Sequence, residues 1–176
     1  MNTSLSYTLR CLLIGAISLG SIACSSAEPS LSEGESHVTL RLSGGTLAEP
    51  IEFDGTSDTL RFYAYSEVSV MGEVRIPSSD GAYELARVNM SIPSLEERVY
   101  ELDRFSPDVN IDGFTNDEGK TISHSFRPIE GEGGTLEVLE RSEQRLRLKF
   151  DTKVAPLTIG YKDLVFHMTG EITIQK

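Results

Sequence analysis

The chain has 176 residues, 39 % of them hydrophobic and 24 % charged, which is apolar content enough for one folded domain. Asp and Glu outnumber Lys and Arg by 27 to 16, a formal charge of −11. That balance excludes general nucleic-acid binding, which needs a basic surface to displace counterions from phosphate. His37, His124 and His167 are the only histidines and Trp is absent. Three dispersed histidines make no metal-binding spacing.

The first residues read as an address. Arg10 precedes an apolar run from Cys11 to Ala23, and no acid occurs before Glu28. A run of about 13 residues is shorter than the roughly 20 needed to span a bilayer, and with a positive flank it has the form of a secretory signal peptide. Ser21-Ile22-Ala23-Cys24 resembles the bacterial lipobox, in which small residues precede a cysteine that is lipidated and becomes the mature N-terminus. Ser21 departs from the Leu usual there. The competing reading is soluble secretion after a cut at Ala27. Cysteine usage favours the lipid: Cys11 lies in the apolar run, Cys24 at the cut, and none follows. Ser25, a residue other than Asp after the cysteine, implies by resemblance the outer membrane of a bacterial envelope. Residues 1–24 thus form the signal peptide, 25–36 (rich in Ser, Glu, Gly and Pro) a flexible tether, and 37–176 the domain.

From residue 37 onward the pattern has period two, the signature of half-buried strands. Val38, Leu40 and Leu42 alternate with Thr39 and Arg41. Leu60, Phe62 and Ala64 alternate with Arg61, Tyr63 and Tyr65. Val68, Val70, Val74 and Ile76 suggest one or two strands, with an interruption at Met71-Gly72. Residues 83–92, 121–127, 135–140, 145–150 and 164–174 complete the set. Turn formers separate the runs at Ser43-Gly44-Gly45, Asp54-Gly55, residues 78–81 and residues 131–134. The segment 93–102 has Pro93 and helically spaced Leu95, Val99 and Leu102, yet its last part alternates, which favours a strand over 98–102. Short strands without helical runs between them predict an antiparallel β-sandwich or a partly open barrel.

The clearest local architecture is a hairpin from Gly134 to Thr152. Leu146, Leu148 and Phe150 share one strand face, and Leu136 and Val138 one face of the other strand. Register must bring these sets together. One register puts Val138 opposite Leu146 and Glu137 opposite Arg147. The other, shifted by two, puts Glu137 opposite Lys149 and lengthens the loop. The shorter loop has no Gly, which favours the second. Either way Arg145, Arg147 and Lys149 face acids within the sheet.

Residues 133–138, 145–150 and 164–174, the last ending in Gly170-Glu171-Ile172-Thr173-Ile174, are similar to the closing strands of small bacterial lipoproteins of unknown function. The resemblance covers about a quarter of the chain. It implies a β-sandwich domain and no activity.

One pattern points to an ion. Asp108, Asn110 and Asp112 alternate before Gly113, as in the first half of a calcium loop, where such spacing converges oxygens on a hard cation. Phe114 would add its carbonyl, Asn116 would act through water, and Asp117 or Glu118 would supply the acid. Position twelve of the loop is Gly119 instead of a bidentate acid, and the simpler reading is an Asp/Asn/Gly-rich turn. Arg61, Tyr63 and Tyr65 form a candidate stacking patch for sugar or peptide. No Gly-x-Ser-x-Gly is present and no Cys remains for a thiol enzyme, so no catalytic residue is assigned. Ser123-His124-Ser125 lies on a strand whose neighbours point apart, with His124 expected half exposed. His167, which alternation places with Val165 and away from Phe166, is expected to be a partly buried imidazole. The expected function is that of a non-catalytic envelope lipoprotein, anchored in the membrane and offering its domain to a protein or glycan. A calcium-dependent binding module and a surface glycan hydrolase are the alternatives.

Overall fold

The computed structural model describes residues 29–59, 61–64, 68–92, 95–96, 98–102, 107–115, 121–158 and 163–176. Of residues 61–64, 68, 114–115 and 121–122 it describes the backbone alone. The described residues form no helix. They contain β1 (Ser36–Gly44), β2 (Ile51–Ser57), β3 (Arg61–Ala64), β4 (Val68–Pro77), β5 (Glu84–Ile92), β6 (Val99–Glu101), β7 (Pro107–Thr115), β8 (Thr121–Pro128), β9 (Gly134–Arg141), β10 (Arg145–Pro156) and β11 (Phe166–Gln175). All pair antiparallel in one sheet, in the order β2-β1-β11-β10-β8-β7-β5-β4-β3, with β9 on β10 and β6 on β9.

Register shows that several of these strands are pieces of longer ones. Phe53 on β2 faces Ser78 just beyond β4, and Phe62 on β3 faces Val70 on β4. The two pairings agree to within one residue, so β2 and β3 run on along one edge of β4. Likewise Tyr100 on β6 faces Leu136 on β9, and Val109 on β7 faces Phe126 on β8. Those registers also agree to within one residue. β8 and β9 in turn share one edge of β10. There the register slips: Pro128 faces Val154, yet Thr152 faces Gly134 instead of residue 130. The turn 129–133 takes up the surplus. Joined in this way, the eleven described strands become eight, each beside its neighbours in sequence. The pairing of β1 with β11 from Ser36↔Ile174 to Gly44↔Phe166 closes the circuit. The expected all-β sandwich or partly open barrel is therefore a nearly closed up-and-down barrel.

Alternation fills it. Val38, Leu40 and Leu42 of β1, Leu146, Leu148, Phe150 and Val154 of β10, and Phe166, Met168, Ile172 and Ile174 of β11 are all buried. Eight strands enclose an interior just wide enough for such side chains to meet. On the outward side of β2, β1, β11 and β10, every position from Glu52 to Thr56, His37 to Ser43, His167 to Gln175 and Arg145 to Lys153 is charged or polar. This is the reverse of a lipid-crossing barrel, which is apolar outside.

Gly170 shows how tightly the interior is filled. It sits at an inward position, opposite Phe150 on one side and Leu40 on the other. A Cβ there would lie 2.4 Å from Phe150 Cζ and 2.8 Å from the Thr39 carbonyl oxygen. The phenyl ring occupies the place of the missing side chain.

Several expectations need correction. Asp54-Gly55 is no turn: both lie within β2, where an ideal Cβ on Gly55 would come to 3.0 Å from Ile76 Cγ2. Met71-Gly72 does not interrupt β4, whose irregularity against β5 falls between Glu73 and Ile76. The Asp/Asn/Gly-rich stretch from Asp108 is strand up to Thr115. β1 begins at Ser36, and Gly34 and Glu35 already bond to Gln175 at 3.0 and 2.9 Å. In the β9–β10 hairpin the second register holds, with Val138 opposite Leu148 and Glu137 opposite Lys149. A bulge beyond Val138 then brings Glu140 opposite Arg147. The extra residue shortens the loop to a turn closed by Ser142 N–H donating to the Arg145 carbonyl at 2.8 Å.

Gly170→Ala is expected to destabilise the barrel by about 1–3 kcal/mol, the usual range for overpacking a filled core. Thermal unfolding of the variant beside wild type measures it. An unchanged melting temperature would show that Phe150 can move aside.

Candidate functional site

Cross-strand register arranges the outer face of β9, β10, β11, β1 and β2 in rows. Glu137, Lys149, Glu171, Thr39 and Asp54 form one, and Thr135, Asp151, Thr169, Arg41 and Glu52 the next. Opposite charges meet across and along these rows. Arg147 donates to Glu171 at 2.7 Å, His37 contacts Asp54 at 2.8 Å, and Arg41 lies 3.5 Å from Glu52. Arg145 lies 3.8 Å from Glu140. The basic residues of β10 thus have acids on both flanking strands, as the hairpin pattern implied. Exposed pairs of this kind contribute about 0–1 kcal/mol each. Their stronger effect is to set register and keep the face wet.

The residues singled out in the sequence are distributed as follows. Asp108, Asn110 and Asp112 lie on β7 and alternate with buried Val109 and Ile111. Extended backbone separates successive members by about 7 Å, so the three form a line along a strand. Arg127 donates to Asp108 at 3.0 Å; Asn110 donates to Ser125 Oγ at 3.3 Å and accepts from the Ser123 hydroxyl. Phe114 falls at the end of β7, while Asn116, Asp117 and Glu118 lie outside the described residues. Among the described residues no group of three or more His, Cys, Asp or Glu is placed to share a metal ion. Arg61 and Tyr63 sit on β3 at register positions opposite Met71 and Ser69. Tyr65 and Cys24 lie outside the described residues.

Two histidines depart from expectation. His124, expected half exposed, is 4 % exposed, opposite Ile111 and tilted against Phe126 with ring centroids 6.1 Å apart. His167, expected partly buried, stands on the outer face with Nε2 2.6 Å from Asp151 Oδ1.

That second pair belongs to a hollow on the surface of the described residues. Where the turn 129–133 leaves the wall between β8 and β9, a depression of about 560 Å³ opens. Its rim holds two couples, Asp151 with His167 and Glu132 with Lys153, the latter at 2.8 Å. Lys153 faces His167 across β10 and β11, and Thr135 faces Asp151 across β9 and β10. The Lys153 ammonium beside Glu132 holds that carboxyl below its usual range. Glycine is required twice in the floor. Gly133 has φ of +73°, and a Cβ on Gly134 would meet Thr152 Oγ1 at 2.4 Å. In the sequence, residues 131–134 read only as a turn, and Asp151 and His167 belong to different strands, so nothing local announced the hollow.

With the geometry in place, the class is clear: an all-β, antiparallel, nearly closed barrel with a packed interior. Comparison with protein-family models, with curated proteins and with solved structures finds no match to this chain.

Burial of His124 disfavours its charged form and lowers its pKa from 6.5. The unfolded chain takes up a proton near pH 6.5 where the folded chain does not. Stability is therefore fully present above that pH and falls as pH drops from 6.5 toward the depressed folded value. Denaturant unfolding between pH 8 and about pH 5 is expected to show the decline for wild type and a flatter profile for His124→Phe. An identical slope in both would place the proton elsewhere.

Proposed function

We propose that the protein is a bacterial envelope lipoprotein. Acyl chains on Cys24 hold it at the membrane, and the barrel is offered to a protein or glycan partner without catalysing a reaction. The observation that carries this reading is Cys24 itself, which follows a short apolar run and is the last cysteine of the chain. A free thiol exposed in an oxidising compartment is a liability, and lipidation removes it. Ser25 after the cysteine favours the outer membrane.

The barrel's geometry agrees with a tethered domain. Gly34 N–H donates to the Gln175 carbonyl, and Lys176 N–H to the Gln144 carbonyl at 2.7 Å. Both ends of the barrel strands therefore meet at one end of the molecule. The connections 45–50 and 78–83, the second held to β2 by Ser79 N–H donating to the Glu52 carbonyl, lie at the other. A lipid at Cys24 would place the first end toward the membrane and the second away from it. The polar outer face suits an aqueous setting.

Metabolic labelling with an alkyne palmitate analogue is expected to mark the wild-type protein in a bacterial host and to leave Cys24→Ser unmarked. Recovery of an unmodified soluble form beginning at Glu28 would sink the anchor.

A further inference from the structure

We propose that the hollow beside the turn 129–133 binds an uncharged saccharide of one or two rings. The proposal rests on the envelope reading for where a glycan would be met, and its chemistry stands on the barrel wall. The space, about 560 Å³, falls within the 300–1,000 Å³ of ordinary small-ligand sites. It forms where the ladder along β10 slips between Pro128 and Gly134. It is thus a gap in the barrel wall, distinct from the spaces between side chains on a flat sheet.

The polar groups of the rim come in matched couples. Asp151 accepts from His167 and Glu132 accepts from Lys153. A charged ligand would have to displace the partner that each member already holds. A hydroxyl accepts from N–H and donates to a carboxylate at the same time, so it can insert into either couple and satisfy both members. Adjacent hydroxyls on one ring can do so twice, with the Thr135 hydroxyl opposite Asp151 available for a third contact. Gly133 carries no side chain and has open space where a Cβ would stand, which lets a ring approach the backbone between the couples. Neutral, hydroxyl-rich and ring-sized describes a sugar.

The test is a titration of the isotopically labelled full-length protein in dodecylphosphocholine micelles, a detergent without a sugar headgroup, followed by NMR. The neutral probes are maltose, cellobiose and diacetylchitobiose; glucuronic acid and glucosamine are the charged ones. At least one neutral disaccharide is expected to shift Thr135, Asp151, Lys153 and His167 together and saturably at millimolar concentration. Asp151→Asn and Lys153→Gln should each weaken that binding about tenfold, with dispersed amide signals reporting that the fold is intact. Thr135→Ala, which changes no charge, serves if either variant unfolds, and should weaken binding several-fold. Three outcomes would overturn the proposal: no saturable shift up to about 50 mM of any neutral probe, shifts with charged sugars alone, or variants that bind as wild type does. Palmitate labelling reports on Cys24 independently, so loss of the sugar site and loss of the anchor are separate results.

Discussion

The ladder between β1 and β11 joins the first strand to the last, and the barrel depends on it. Without that ladder the chain would be a meander with two free edges, each a row of unpaired amides and carbonyls open to other chains. Closure also sets the inside. Once the sheet bends into a barrel, the two faces of each strand stop being equivalent, and period-two alternation becomes a choice between core and water. Gly170 marks the geometric demand: β1, β11 and β10 come together closely enough that Phe150 fills the place a third side chain would take. The ladder joins residues far apart in the chain, so its closure entropy must be met late, and folding should be slower than for a helical domain of similar size.

The strands that were legible in the sequence are those with clean alternation and no functional mimicry, such as β1, β9, β10 and β11. β2 was hidden because Asp54-Gly55 has the chemistry of a turn. In the barrel the glycine answers a packing need, the close approach of Ile76 from β4. β7 was hidden by the polar half of its own alternation. Asp108, Asn110 and Asp112 form the wet face of a strand whose other face is Val109 and Ile111. A pattern of every second oxygen is common to a calcium loop and to a strand, and only the backbone separates the two. The bulge at the end of β9 was illegible for a different reason: alternation specifies faces, and a single inserted residue near a turn changes the loop without changing the core.

The candidate site shows the same limit more sharply. The acids and bases of β10 could be assigned to a structural role from one hairpin, because their partners are neighbours in register. The Asp151–His167 and Glu132–Lys153 couples needed β11 and a turn from the other side of β10. Their hollow exists because the turn 129–133 carries four residues more than the ladder can use. The wall's regularity is also broken between β2 and β4, and a depression of similar size lies there, lined by Thr56, Asp58, Glu73 and Arg75 among others. Both of these openings lie at interruptions of hydrogen bonding, so variation in connection length is one means by which a filled barrel acquires concave ground.

The position of β1 has a mechanical consequence. It enters the barrel at the end where the chain also finishes, and it is flanked along its length by β2 on one side and β11 on the other. Tension applied at Gly34 and resisted at the far end of the barrel would run parallel to both ladders. Load in that direction is shared by all the pairings of β1 at once, whereas a pull across the strand would break them one after another. A domain held by its N-terminus and pulled from its distal end meets force along its strongest axis.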